Sequence, residues 1–236
     1  MKCAIVDKRI SDSCRRSLMV KGFHLIELPS APRLGTAVES HPDMILFFHN
    51  NKIITSAEYC EAYPYIFSDI REFAADSELT FTSDEFGANY PYDAIFNALV
   101  IENMIFCKTD TVSKAIIEYA EKMHFKIIHV NQGYPACTTL AFGKSTITSD
   151  KGMAEALSKE GIDVTLISDG GISLPPYKYG FIGGASGVFG DTVFFLGNLD
   201  LHPDAELIKS KITSAGFRHV SLAEHQLTDL GRIIFI

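Results

Sequence analysis

One short pattern recurs along the whole chain and restricts its fold more than composition does. The pattern is strand, tight turn, strand, helix, strand. Its clearest copy places a strand over Tyr92–Val100, a turn at Glu102-Asn103 and a second strand over Met104–Cys107. A helix then runs from Thr109 or Asp110 to about Met123, and Lys126–Val130 forms the third strand. In that helix Val112, Ile116, Ile117 and Ala120 recur at the helical period, so one face can reach a core. The next copy has Thr138–Phe142, the turn Gly143-Lys144, and Ser145–Thr148. Its helix is capped by Ser149 or Asp150 and stopped by Gly161, and Asp163–Ile167 follows. A further copy has Gly187–Phe189, the turn Gly190-Asp191, Thr192–Leu196, a helix from about Asp204 to Ser214, and Arg218–Leu222.

Two copies are less regular. One begins with a strand over Asp43–Phe48, turns at Asn50-Asn51 and continues through Lys52–Thr55. Tyr63-Pro64 breaks any long helix there, and Leu79–Thr82 closes the unit. The other is split between the termini. Cys3–Val6, a helix from Ser11 to about Val20, and Phe23–Leu28 lack only a first strand, which Arg232–Ile236 can supply. At or one residue before the ends of the second strands stand Val6, Ile54, Phe106, Ile147 and Leu196, which are 48, 52, 41 and 49 residues apart. The step from Leu196 through the termini back to Val6 is 46 residues. A linear stack gives no reason for that last step to match the others. The spacing therefore predicts an α/β fold closed into a ring of five ββαβ units in a single domain, 1–236. The approximate units are 231–236 plus 1–40, 41–86, 87–133, 134–180 and 181–230. The alternative is an open α/β sheet carrying hairpins.

Charge and cysteine content narrow the partners. With 21 basic and 29 acidic residues the net charge is -8, the wrong sign for a general binder of nucleic-acid backbone. No apolar run is long enough to span a bilayer, and no basic amphipathic helix suits a membrane surface. The opening residues turn polar after four apolar positions and form no signal-peptide core. The five cysteines include no C-x-x-C pair, so free thiols and a cytoplasmic location are expected. The eight histidines show no local metal-ligand spacing, so neither a metal nor a cofactor is expected.

A closed five-fold ββαβ ring resembles the pentein fold, a five-bladed α/β propeller, of the guanidino-modifying enzymes. These include arginine deiminases, dimethylarginine dimethylaminohydrolases and amidinotransferases. Three short segments resemble family motifs. Pro42-Asp43-Met44-Ile45-Leu46-Phe47-Phe48-His49 is similar to a Pro-Asp-x-Val-Phe-Val-Glu-Asp strand. Leu227-Thr228-Asp229-Leu230 is similar to a Leu-Thr-Cys segment, and Phe181–Ser186 occupies the place of a His-Leu-Lys-Ser segment. The resemblance implies a cysteine nucleophile, a histidine acid/base and an acidic grip on a guanidinium. At those positions this chain has Asp229, Phe181, and the pair Phe48 and His49. A carboxylate is a poorer nucleophile than a thiolate toward an amidine carbon, and Phe moves no proton. The family's cysteine chemistry is therefore expected to be missing.

In such a ring the unit loops converge at one mouth. The loops are His41–Asp43, Asp84–Asp93, Asn131–Tyr134, Asp169–Gly184 and Glu224–Asp229. A concave polar mouth is the default ligand site. The candidate lining residues are His49, Asn97, Asn131, Glu224, His225 and Asp229, with Cys137 the candidate for a relocated nucleophile. Each has a plainer reading as a strand or turn cap, and Cys137 as a buried, inert thiol. Asp229 stands between apolar Leu227 and Leu230, where a carboxylate needs a partner. It either grips a cation or caps a neighbouring backbone. The glycine-rich Gly180–Gly187 segment is followed by a strand pattern, not a helix, so it fits close backbone packing or a flap better than a phosphate loop.

The leading expectation is a protein that binds a small polar ligand, guanidino, amidino or amino-acid-like, without the family's catalysis. A second is a divergent amidinohydrolase or amidinotransferase using Cys137 with His49 or His225. A third is a non-catalytic structural or interaction module.

Overall fold

The computed structural model describes residues 2–236. Five three-stranded sheets share one plan. The first pairs Ile234–Phe235, Lys2–Asp7 and Phe23–Leu28, and the second pairs Leu46–His49, Lys52–Ser56 and Glu78–Thr82. The third pairs Leu99–Ile101, Met104–Cys107 and Lys126–His129. The fourth pairs Thr139–Phe142, Ser145–Thr148 and Asp163–Leu166, and the fifth Ser186–Phe189, Thr192–Phe195 and Arg218–Ser221. In every sheet the first two strands are antiparallel and the last two parallel. A parallel neighbour cannot be reached by a tight turn, so a helix makes each crossover. Ser11 and Asp150 cap Asp12–Val20 and Lys151–Lys159 as the sequence predicts, whereas the helix of the third unit starts only at Lys114, with Ser113 as its cap in place of Thr109 or Asp110.

The terminal strands meet as the spacing predicts. Ala4 lies opposite Phe235 and Ile5 opposite Ile234, and Cys3 and Ile236 exchange backbone hydrogen bonds at 3.0 Å. The C-terminal strand also lies beside Ser186–Phe189, which in turn lies beside Thr139–Phe142.

The elements depart from expectation mostly at the starts of units. Residues 43–45 and 138 are not strand, because Pro42–Ile45 and Pro135–Thr138 are single helical turns with proline at the first position. Residues 92–98 are turns, held by Ala94 N–H to Pro91 O and Asn97 N–H to Ala94 O, and strand starts only at Leu99. The irregular stretch of the second unit is two helices, Ala57–Ala62 and Pro64–Phe73, broken where Tyr63-Pro64 breaks the sequence. A sixth, two-stranded sheet pairs Ile172–Ser173 with Leu227–Thr228. It delivers Asp229 to the centre, where its N–H donates to Ser173 O at 2.9 Å.

Candidate functional site

The starts of the units meet at one floor, and hydrogen bonds run between them in sequence. Gly184 N–H donates to Cys137 O, and Leu230 and Arg232 N–H donate to Gly184 O. Asp43 N–H donates to Gly231 O, and Asn97 Nδ2 donates to Asp43 O at 3.2 Å. Asn97 Oδ1 accepts from Ala136 N–H at 2.8 Å, returning to the segment that carries Cys137. The approach is too close for side chains on Gly184. A Cβ there would stand 2.0 Å from Asp229 Oδ1 and 2.6 Å from Cys137 Sγ. The glycine-rich segment is thus a packing device, one of its two sequence readings.

Asp229 is fully buried and held in place by donors. Phe181 N–H reaches Oδ2 at 2.8 Å, Gly231 N–H reaches Oδ1 at 3.1 Å, and the Cys137 thiol lies 3.4 and 3.5 Å from its two oxygens. No lysine or arginine pairs with it among the described residues. Burial pushes its carboxyl up to about 6, against the pull of those N–H groups. Asp43, also buried, is pushed up to about 7 by burial and by the Asp229 charge. Burial, then these two carboxylates, push the Cys137 thiol well up, so it rests as a thiol. His41 stands with Nδ1 3.9 Å from Asp229 and Nε2 3.9 Å from Asp7. Asp7 is already taken by Arg9, whose Nε is 2.9 Å from Oδ1. Burial and then the Arg9 charge push His41 down to about 3, leaving the imidazole neutral.

Above this floor opens a pocket of about 520 Å³. Its floor is His41, Cys137 and Asp229, and its walls are largely aromatic: Tyr90, Tyr134, Tyr177, Tyr179 and Phe181. Tyr134 Oη donates to Asp93 Oδ2 at 2.8 Å, and its ring lies 5.2 Å from that of Tyr90. Tyr177 and Tyr90 are exposed at the rim, at 61% and 50%. Beneath the floor lies a separate cavity of about 90 Å³, lined by Leu46, Ala98, Ala136, Val188 and Ile234, one residue from each unit.

The structure brings Cys137 and Asp229 together but disperses the other candidates. Asn97 is buried beside them as a brace between units. His49 is not at the pocket: it is paired with Lys52 at the hairpin end of its strand, bonded to Tyr119 Oη at 2.8 Å. The strand runs away from the Pro42 turn, so His49, its last residue, stands at the hairpin end as a polar strand end. Asn131 is exposed, and only its carbonyl is engaged, by Tyr90 Oη at 3.1 Å. Glu224 is exposed and accepts from Asn198 at 3.2 Å. His225 lies in a different cleft, 2.9 Å from Ser11 Oγ and 3.9 Å from Cys14 Sγ. Cys137 therefore pairs with neither His49 nor His225, and the histidine that shares its floor is His41. Phe181 meets Asp229 through its backbone, while Phe48 lines the small lower cavity. The sequence reading named the His41–Asp43 loop without choosing its side chains. The available signal was His41-Pro42, Tyr90-Pro91 and Tyr134-Pro135, an aromatic–proline step ahead of the first strand in three units.

A family model described as a family of unknown function (DUF6873) matches residues 5–234. The chain belongs to that family. No curated protein matches it. Solved structures of similar fold include a dimethylarginine dimethylaminohydrolase from Pseudomonas aeruginosa complexed with citrulline, at TM-score 0.56 and 10% identity over 93% of this chain and 91% of that one. An amidinotransferase of saxitoxin biosynthesis from Microseira wollei matches at TM-score 0.52 and 11% identity, over 88% and 72%. The agmatine deiminase of C. jejuni matches at TM-score 0.51 and 11% identity, over 86% and 71%. At such identities the likeness is one of fold: a mixed α/β fold similar to that of these three enzymes. No helix among the described residues is long and apolar enough to cross a membrane.

Proposed function

We propose that this protein binds a small organic cation, of the amino or guanidino class, over Asp229, and performs no thiolate chemistry on it. The observation that carries the reading is a fully buried carboxylate without a cationic partner, on the floor of an aromatic-walled pocket. A cation entering it gains the Asp229 charge and the faces of the tyrosines, each cation–π contact contributing about 0.5–2 kcal/mol. The relatives in fold are named for dimethylarginine, agmatine and amidino transfer, which agrees with the ligand class. Against catalysis stands the state of Cys137, a thiol pressed by two carboxylates with only a neutral imidazole on its floor.

The site rests on a further reading, that the five units of residues 1–236 close a single ring around the pocket axis. The hydrogen bonds linking Cys137, Gly184, Gly231, Asp43, Asn97 and Ala136 support it, as do the terminal strand pair and the lower cavity that all five units line.

The test is a thermal-shift screen of guanidino and amino compounds on the wild type and on Asp229→Asn. A hit should bind the variant more weakly by the ~1.5–3 kcal/mol of a charged hydrogen bond, about 10–150-fold. Equal stabilisation of both proteins removes Asp229 as the anchor. Incubation with arginine, agmatine or methylated arginines should release no ammonia, citrulline or ornithine.

A further inference from the structure

The Asp43 carboxylate has no hydrogen-bonding explanation for its place. Both oxygens are shut off from solvent and neither makes a hydrogen bond of normal geometry, although the Cys137 and Asn97 side chains stand close, and His41 Nε2 is likewise without a hydrogen bond. Asp43 is 3% exposed and His41 1%, so both stand away from bulk solvent. Arg232 is the nearby cation, yet it forms no ion pair with Asp43. One His41 nitrogen, one Asp43 oxygen and Cys137 Sγ lie within 4.8 Å of one another. Donors held ~2.0–2.3 Å from a common tetrahedral centre stand roughly 3–4 Å apart, so small side-chain rotations bring all three onto one ion.

The geometry points to a divalent transition-metal site of the zinc type formed by His41, Asp43 and Cys137. The donor set is one imidazole nitrogen, one carboxylate oxygen and one sulfur. Sulfur and imidazole together disfavour magnesium and calcium, which take oxygen donors. On coordination the Cys137 S–H proton leaves to solvent and a sulfur–metal bond forms. The thiolate and the Asp43 carboxylate then balance the two charges of the ion. Asp229 stays outside the set because its oxygens already accept from Phe181 and Gly231. His41 and Cys137 also line the upper pocket, so the fourth coordination position opens there. The site goes beyond the cation-binding reading and does not depend on it, since one uses Asp43 and the other Asp229.

The experiment uses the full chain, stripped with a chelator and titrated with Co²⁺ alone. One equivalent should bring up a near-ultraviolet sulfur-to-cobalt charge-transfer band together with visible d–d bands of a four-coordinate ion, and one equivalent of Zn²⁺ should bleach both. Cys137→Ser should abolish the charge-transfer band, while Asp43→Asn and His41→Ala should weaken Co²⁺ binding at least about tenfold. Cys14→Ser should leave the bands unchanged. Circular dichroism in chelator establishes that each variant is folded. A wild-type protein that shows no band at several equivalents overturns the site, whatever the variants do. So does a band that survives in folded Cys137→Ser, because another thiol then holds the ion.

Discussion

His41 and His225 each stand beside a thiol, and their surroundings differ in one respect. His41 shares a buried floor with Cys137, Asp43 and Asp229, where two carboxylates meet no matching cation. His225 shares an open cleft with Cys14 and Ser11, and each of its ring nitrogens has a partner, Ser11 Oγ at 2.9 Å and Gln226 O at 2.8 Å. The residue types are nearly the same. In the cleft the histidine is open to solvent and both its nitrogens have neighbours, so it is not left short of a partner. At the centre the Asp43 oxygens are buried without a hydrogen bond and Asp229 without an ion pair, the deficit that the proposed ligands would fill.

The largest effect should come from disturbing that close approach. Gly184→Ala places a methyl group against the Asp229 carboxylate and the Cys137 sulfur. It should lower stability by about 3 kcal/mol or more, or prevent folding. Gly35→Ala, with nothing within 4 Å of the added carbon, should stay within ~0.5 kcal/mol in the same chemical denaturation series. Comparable losses at both positions would mean the centre is no tighter than the surface.

The uncompensated charge should next show as a pH dependence. A carboxyl raised to about 7 in the folded protein, against ~3.9 unfolded, keeps its proton on folding. Its favourable contribution is fully present below pH ~4 and is lost as pH rises through 7. His41, lowered to about 3, runs the other way, with stability lost as pH falls below ~6.5. The wild type is therefore compared with Asp43→Asn, both in chelator, so that the His41 contribution cancels. Relative to the variant, the wild type should lose roughly 2–4 kcal/mol between pH 4 and pH 7. A constant difference across that range contradicts the burial of an unpaired Asp43.

Much of this organisation was legible in the sequence. Equal spacing of second strands found the five units, and the step through the termini anticipated the pairing of Ile234 with Ile5. Asp229 was found because a carboxylate between Leu227 and Leu230 needs an explanation, and Cys137 because it starts a unit. Asp43 is hidden because Pro42 winds it into a helical turn where the sequence reads as strand, and His41 because it precedes that turn as an ordinary loop residue. The tyrosine walls were not legible. Tyr90 comes from one unit and Tyr134 and Tyr177 from distant parts of the next, and nothing local in the sequence shows that they share a pocket. Nor does a sequence record which buried oxygens lack a donor.

Smaller effects separate the pocket's walls from its floor. Tyr177→Ala should weaken a cationic ligand by about twofold to fivefold, the ~0.5–1 kcal/mol of an exposed cation–π contact, with little change in stability. Isothermal titration measures it, and no change would assign recognition to the floor alone. Smallest of all, His225→Ala should change stability by less than ~0.5 kcal/mol and leave every pocket ligand unaffected. An altered ligand affinity in that variant would show that the cleft and the centre are coupled.

The most direct measurement is a crystal structure of the protein grown with a guanidino compound such as agmatine. The expected result is a guanidinium on the pocket floor, ~2.7–3.2 Å from the Asp229 carboxylate, with its chain between the tyrosine walls. A compound that sits instead in the His225 cleft, or leaves the floor vacant at concentrations that raise the melting temperature, would contradict the account.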